Sequence, residues 1–394
     1  MLKLRDLYYI THIDNLPSIL EKGILSHKLV EKGKLEYTSI YDSDIVKVRR
    51  DKLTPDGRSL WDFANLYFQP RNAMLYRVVF FSGNKPDDIV IIGVKNSILR
   101  NVRDIFITNG NAASPNSLIL PISEAEDEIK KIRKQVDKEY WKDEDGSKIA
   151  LMAEALIPDR VPPEYIQEIY VASREAINKV RQSIDGHSGI PIIPEPFLFF
   201  RPSRKIKLTN YLSLVEGDMF FSRMQTLTIS VNTVGVMGKG LASRAKYQFP
   251  DVYVIYQDLC KKKILRMGKP YLYKREISLD SVLADEVSTK LLDANLQTWF
   301  LLFPTKRDWK QKADIAGIEK GLKWLVDNYI REGIKSLAIP SLGCGLGWLE
   351  WGIVGPLLCN YLDKLDIPVN LYLPIEKKIP DDQLSKEFLL GKNY

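Results

Sequence analysis

The chain has 394 residues, with 57 Lys and Arg against 50 Asp and Glu for a net charge of +7, and 45% hydrophobic and 27% charged residues. One core rarely grows past about 250–300 residues, so two domains are expected, and the composition excludes disordered, collagenous and coiled-coil proteins. No run reaches the roughly 18 apolar residues of a membrane span. Residues Met1–Asp6 have no apolar secretory core, and Cys260, Cys344 and Cys359 lack disulfide or metal-ligand spacing, so a cytoplasmic protein without metal or membrane is expected.

In chain order, residues 14–22 read as a helix capped by Asp14 and stopped by Gly23. Val78–Phe81 and Ile89–Val94 read as strands, and 123–140 as an exposed amphipathic helix. The pattern is irregular, which points to an α+β domain. The texture changes at 184–208, where Gly186, Gly189, Pro191, Pro194, Pro196 and Pro202 precede a basic run. Pro196–Phe200 reads as a strand that closes a first domain of residues 1–202, and 203–208 as a linker. The remainder, 209–394 with a C-terminal tail, alternates. Leu212–Val215, Leu227–Val231, Trp299–Phe303, Ser336–Ile339 and Val369–Leu373 read as strands. Helices are expected over 239–263, broken at Pro250, and over 313–332 and 350–364. Apolar strands separated by helices imply an α/β/α sandwich with a mainly parallel sheet.

Two glycine-rich turns stand between strand and helix in this second half, Asn232–Ala242 and Pro340–Gly347. Glycines let a backbone fold closely around a ligand, and the helix N-terminus behind offers free N–H groups. Two such loops in one sheet suit a diphosphate held from both sides. Neither has the Gly-Lys-Ser/Thr of a P-loop.

Three features together resemble a macrodomain, the ADP-ribose-binding fold: Glu216-Gly217-Asp218, the Asn232–Ala242 turn and the Gly343–Gly347 turn. The run from Gly238 to Pro250 is similar to the DarG branch, whose members remove ADP-ribose from a modified target. The resemblance covers roughly 209–375. It implies that Asp218 binds the adenine edge, that Asn232 faces the distal ribose, and that Gly238, Gly240, Gly343, Gly345 and Gly347 wrap ADP-ribose. It also implies that Lys246 is the catalytic lysine, which otherwise reads as a solvated helix residue. An unprotonated lysine can attack an anomeric carbon, and burial near other cations would keep it neutral. Lys306, after a strand, offers a second phosphate contact. Cys344 reads as packing.

Polar groups also interrupt three apolar segments of the first half: Tyr8–Leu16, Tyr67–Tyr76 and Met152–Pro158. Glu154 in an apolar strand either faces water from an edge or is buried with a partner. These segments resemble the DarT family, NAD-dependent transferases that attach ADP-ribose to bases of single-stranded DNA. The resemblance covers nearly all of 1–202 and implies an ADP-ribosyltransferase-like fold. It also implies Glu154 as catalytic glutamate and Arg71 as an essential arginine on NAD. Tyr9, Thr11, His12 and Asn15 would be further NAD contacts. Tyr9 stands where many members have histidine. The loop 43–60 reads either as a guide for a single strand or as a solvated mixed-charge loop.

Residues 1–200 hold 28 basic and 29 acidic residues and the rest 29 and 21, so the positive excess lies in the second half. The combined expectation is a transferase and a glycohydrolase acting in opposition on DNA in one chain, a fused toxin and antitoxin. The rivals are a non-hydrolytic reader or masking module in the second half, or an RNA or protein acceptor.

Overall fold

The computed structural model describes residues 5–40, 48–184, 189–277, 297–374 and 378–391. The described residues divide into two compact units, with the boundary between Phe200 and Arg201. Among them no helix is long and apolar enough to cross a membrane, and no three His, Cys, Asp or Glu side chains are grouped to hold a metal ion.

Unit one is built on an eight-stranded sheet. Its strands are β1 (Leu7–His12), β2 (Phe63–Tyr67), β3 (Ile89–Val94), β4 (Phe106–Thr108), β5 (Ile119–Pro121), β6 (Glu154–Pro158), β7 (Ile166–Val171) and β8 (Ile192–Pro194). Their order is β8-β7-β3-β1-β2-β6-β4-β5, antiparallel throughout except for β7 with β8. Side chains alternate across a strand, so one face takes every second residue. Leu7, Leu66, Ile92, Val94, Ala155 and Ile157 line the larger core, covered by the helices Leu16–Lys22, Glu126–Val136 and Arg174–Ser183. The other face carries Tyr67 and Glu154, a directly opposed pair, and a smaller cluster of Phe63, Phe106 and Leu156. β1 pairs with β3 along its whole length but with β2 only at Tyr8↔Tyr67. The sheet thus parts between β1 and β2 beyond Tyr8.

Three local expectations are corrected here. Val78–Phe81 belongs to a helix, Ala73–Phe81, not a strand. Asn72 caps it, its side chain accepting from the Leu75 N–H at 3.0 Å, and Leu75, Tyr76, Val78 and Val79 are buried together. The cap and the buried helical face outweigh the β-branched residues. Pro196–Phe200 is a short 3-10 turn, Pro196–Phe199, because Pro196 starts a helical turn and Phe200 leaves it at φ 58°. Asp14 is not the helix cap. A 3-10 turn, Ile13–Asn15, comes first, with the His12 side chain accepting from the Asp14 N–H, and the helix runs Leu16–Lys22 to Gly23 at φ 88°.

Unit two carries a seven-stranded sheet. Its strands are β9 (Arg204–Lys207), β10 (Leu212–Glu216), β11 (Thr226–Asn232), β12 (Tyr271–Tyr273), β13 (Trp299–Lys306), β14 (Leu337–Pro340) and β15 (Val369–Tyr372). The order is β9-β10-β15-β14-β11-β13-β12, with the five central strands parallel and the two edges antiparallel. The expected helices form as Gly240–Gln248 and Pro250–Lys261, divided at Phe249, and as Ile315–Glu332 and Trp351–Leu362. The basic run 203–208 is not a free linker. Four of its residues form β9, where Arg and Lys side chains blunt an exposed sheet edge against further pairing. The C-terminal tail is also part of the fold, because Leu384 and Leu389 join the unit's core.

Candidate active sites

Glu154 opens β6 with no exposed surface, which decides against an edge glutamate facing water. Arg49 holds its carboxylate in a fork, Nη1 donating to Oε1 at 3.2 Å and Nη2 to Oε2 at 2.9 Å. The backbone N–H of Ala112 donates to Oε1 at 2.9 Å, and the Glu154 N–H donates to the Thr108 hydroxyl at 3.0 Å. A buried carboxylate requires such partners. Burial pulls the Arg49 guanidinium down, but the Glu154 charge outweighs it and leaves it raised. The Tyr67 phenol is likewise raised, first by burial and then by the neighbouring Glu154.

Arg49 belongs to the segment 43–60, of which the residues before 48 lie outside the described ones. The helix His27–Gly33 and Trp61 anchor this segment. The His27 ring stacks on Trp61 at 4.3 Å, Arg50 lies over the same indole at 5.7 Å, and the indole N–H donates to Glu31 at 3.1 Å. Arg49 was missed as a site residue because 105 positions separate it from Glu154. The available signal was indirect: a glutamate in an apolar strand needs a cation.

Arg71 takes a different place. Its Nε donates to the Phe197 carbonyl at 2.9 Å, and its guanidinium lies over the rings of Phe197 and Phe200 at 4.1 and 4.9 Å. The described cation on Glu154 is therefore Arg49. Tyr9 and Thr11 lie on the core-facing side of β1. Burial, and then Tyr37, push the Tyr9 phenol up to about 12, so it stays a hydrogen-bond donor at neutral pH. Asn15 donates to the Thr11 hydroxyl at 3.0 Å and bonds Thr38 through both backbone groups, fixing the turn beside β1. His12 lies 3.1 Å from Asp14.

In unit two the candidates gather at the C-terminal ends of the parallel strands. Asp218 follows β10, Asn232 ends β11, Lys306 ends β13 and the Gly343–Gly347 turn follows β14. The Asn232 side chain ties its own loop, accepting from Val234 and Val236 N–H groups and donating to the Val236 carbonyl, while the Tyr256 hydroxyl donates to it at 2.8 Å. Gly240 has φ +60°, and a Cβ on it would lie 3.5 Å from Leu346 of the other turn, so the two glycine loops meet. The Lys306 ammonium donates to the Leu346 carbonyl at 2.9 Å and is lowered by burial. In the second turn Gly343 has φ +80°, and a Cβ on Gly347 would lie 2.5 Å from the Gly343 carbonyl oxygen.

Asp218 accepts from Arg244 at 2.8 Å and from the Phe220 N–H at 3.1 Å. Arg244 in turn lies over the Phe220 ring at 4.4 Å. Arg244 lies within the run from Gly238 to Pro250, where nothing in the sequence marks it as the partner of Asp218. Lys246 is half-buried on the helix that leaves the first glycine loop, its ammonium 4.7 Å from the Tyr253 ring centre and 5.2 Å from that of Tyr247. Its described contacts are aromatic rather than the expected cations.

Residues 8–200 match the family described as ssDNA thymidine ADP-ribosyltransferase, DarT. A "DNA ADP-ribosyl transferase-DNA ADP-ribosyl glycohydrolase fusion protein" of Thermosipho africanus is 62% identical over 388 residues, covering 98% of this chain and 99% of that one. The chain belongs to the DarTG family. The solved structure titled Thermosipho africanus DarTG in complex with ADP-ribose superimposes with a TM-score of 0.91 at 61% identity, over 98% of this chain and 100% of the other. A DNA ADP-ribosyl glycohydrolase of Thermus aquaticus is 32% identical over 166 residues, 42% of each chain. The expected pair of folds, a DarT-like transferase followed by a DarG-like macrodomain, therefore holds for the whole DarTG chain.

Proposed function

We propose that unit one transfers ADP-ribose from NAD to thymidine bases of single-stranded DNA and that unit two removes it. The observation that carries this reading is the 62% identity to a transferase–glycohydrolase fusion along both units at once.

In the transfer, the bond between nicotinamide and the ribose anomeric carbon breaks, a thymine nitrogen bonds that carbon, and the nitrogen's proton passes to water. Positive charge builds on the sugar as nicotinamide departs. Glu154, fixed by Arg49, Ala112 and its strand, is a preorganised anion that can stabilise this charge without reorienting. The parted edge of β1 with Tyr9 and Thr11, and the turn after it with Asn15, face the NAD donor in this reading, and Arg71 offers a cation to its phosphates.

In the removal, the two glycine loops and Lys306 hold the diphosphate, Asp218 takes the adenine edge and Asn232 faces the distal ribose; the Lys246 amine attacks the anomeric carbon as its bond to the thymine nitrogen breaks, and the base leaves with the proton the amine gives up. Water then releases ADP-ribose and restores the lysine.

The test uses full-length chains, labelled NAD and a thymidine-containing single strand. Lys246→Ala should accumulate labelled DNA. Glu154→Gln should lower labelling by about 10²–10³-fold while still stripping pre-labelled DNA. Undiminished labelling by Glu154→Gln, or undiminished stripping by Lys246→Ala, would reject the corresponding assignment.

A further inference from the structure

The loop 306–312 joins the end of β13 to the next helix and runs between the two glycine turns. On one side the Thr233 N–H and hydroxyl both donate to the Arg307 carbonyl, at 3.1 and 3.0 Å. On the other the Ala313 N–H donates to the Gly347 carbonyl at 3.0 Å. This strap carries Lys306, Arg307, Lys310 and Lys312 against one acid, Asp308, whose carboxylate accepts from the Lys310 N–H at 2.9 Å.

Two indoles, one on the strap and one beside it, stand in solvent. Trp309 is 54% exposed and Trp348, just past the second turn, 62% exposed. An exposed indole offers a flat face on which a nucleic-acid base can stack. Trp348 also holds a left-handed backbone at φ 58°, a conformation that is strained for a bulky residue. Lys306 lies 5.7 Å and Lys310 5.1 Å from these two rings, so each indole has a cation beside it. Positive charge interleaved with exposed rings is the arrangement that tracks a single nucleic-acid strand, its phosphates drawn by the cations and its bases stacked on the rings.

We propose that the strap 306–312 with Trp348 is a docking platform for the single DNA strand on either side of the modified base. It extends the hydrolase site from ADP-ribose to the polymer that carries it. The proposal rests on reading unit two as the hydrolase. It gives the excess of basic residues after residue 200 a location.

The test compares kcat/KM for ADP-ribose release from a modified single strand of about ten nucleotides with that from modified thymidine monophosphate, using the full-length chain. Wild type should favour the strand. Trp348→Ala and Trp309→Ala should each lower release from the strand about tenfold and leave the mononucleotide and free ADP-ribose binding unchanged, since stacking adds only where neighbouring bases exist. Lys310→Glu should flatten the salt dependence for the strand alone. Equal efficiency of wild type on both substrates, or equal losses on both in the variants, would overturn the platform. If wild type releases ADP-ribose from neither substrate, the hydrolase reading fails separately. Strand binding by the same variants then decides the platform, and an unchanged affinity rejects it.

Discussion

Arg49 and Glu154 form an ion pair in which the carboxylate has no exposure and the guanidinium side chain 12%. Such a pair adds little net stability relative to apolar packing, but removing one partner leaves the other charge stranded. Arg49→Ala should therefore destabilise unit one by about 3–5 kcal/mol, read from denaturant unfolding, besides impairing transfer. A change below 1 kcal/mol would mean that water or another group replaces the guanidinium. The need for a partner was legible in the sequence, since glutamate in an apolar strand is costly, whereas the partner's identity was not. Arg49 reaches Glu154 only through the tertiary path that pins its segment to Trp61 and His27. Lys246 shows the same limit, because the sequence places it on a helix but not over the rings of Tyr247 and Tyr253.

At the level of elements, the central strands and helices of unit two are legible in the sequence because parallel strands make continuous apolar runs and each helix ends at a glycine, a proline or a polar turn. Unit one is less legible. The segment Ala73–Phe81 is rich in strand-forming residues, and only its cap and its burial make it helical. The basic run 204–207 looks like a linker because an edge strand and a tether share the same polar composition. The glycine loops separate two demands on glycine. At Gly347 the fold itself requires it, since a Cβ would strike the Gly343 backbone; at Gly238 the nearest atom lies 3.9 Å away and space remains. Gly347→Ala should distort the turn and weaken ADP-ribose binding by about tenfold or more in calorimetric titration. Gly238→Ala should leave the melting temperature unchanged and lose binding only if the ligand lies against that backbone. Full ADP-ribose affinity in Gly347→Ala would refute this view of the second turn.

Across the whole molecule, each unit has a core of its own, one drawn from residues 7–184 and the other from 208–389. Acid should act on them unequally. All three histidines, His12, His27 and His187, precede residue 200. Burial, and then Arg49, lower His27 to about 4. The unfolded chain therefore takes up a proton near pH 6.5 that the folded chain refuses until about pH 4. This stabilisation is complete above pH 6.5 and disappears as pH falls through that window, by about 3 kcal/mol in all. Calorimetry between pH 7 and pH 4.5 should show the unfolding of unit one moving down, and His27→Phe should reduce that movement. An identical shift in wild type and variant would exclude His27 as the cause.

The backbone contact at Gly347 carries a genetic meaning as well. One added methyl group should weaken removal and spare transfer, and the chain would then turn against the cell that makes it. A substitution at Glu154 should disarm the same chain and leave the cell unharmed. Growing populations should therefore shed variants at the second glycine turn at once and accumulate silent losses in the first half. Gly347→Ala should be recoverable in living cells only beside a second substitution such as Glu154→Gln.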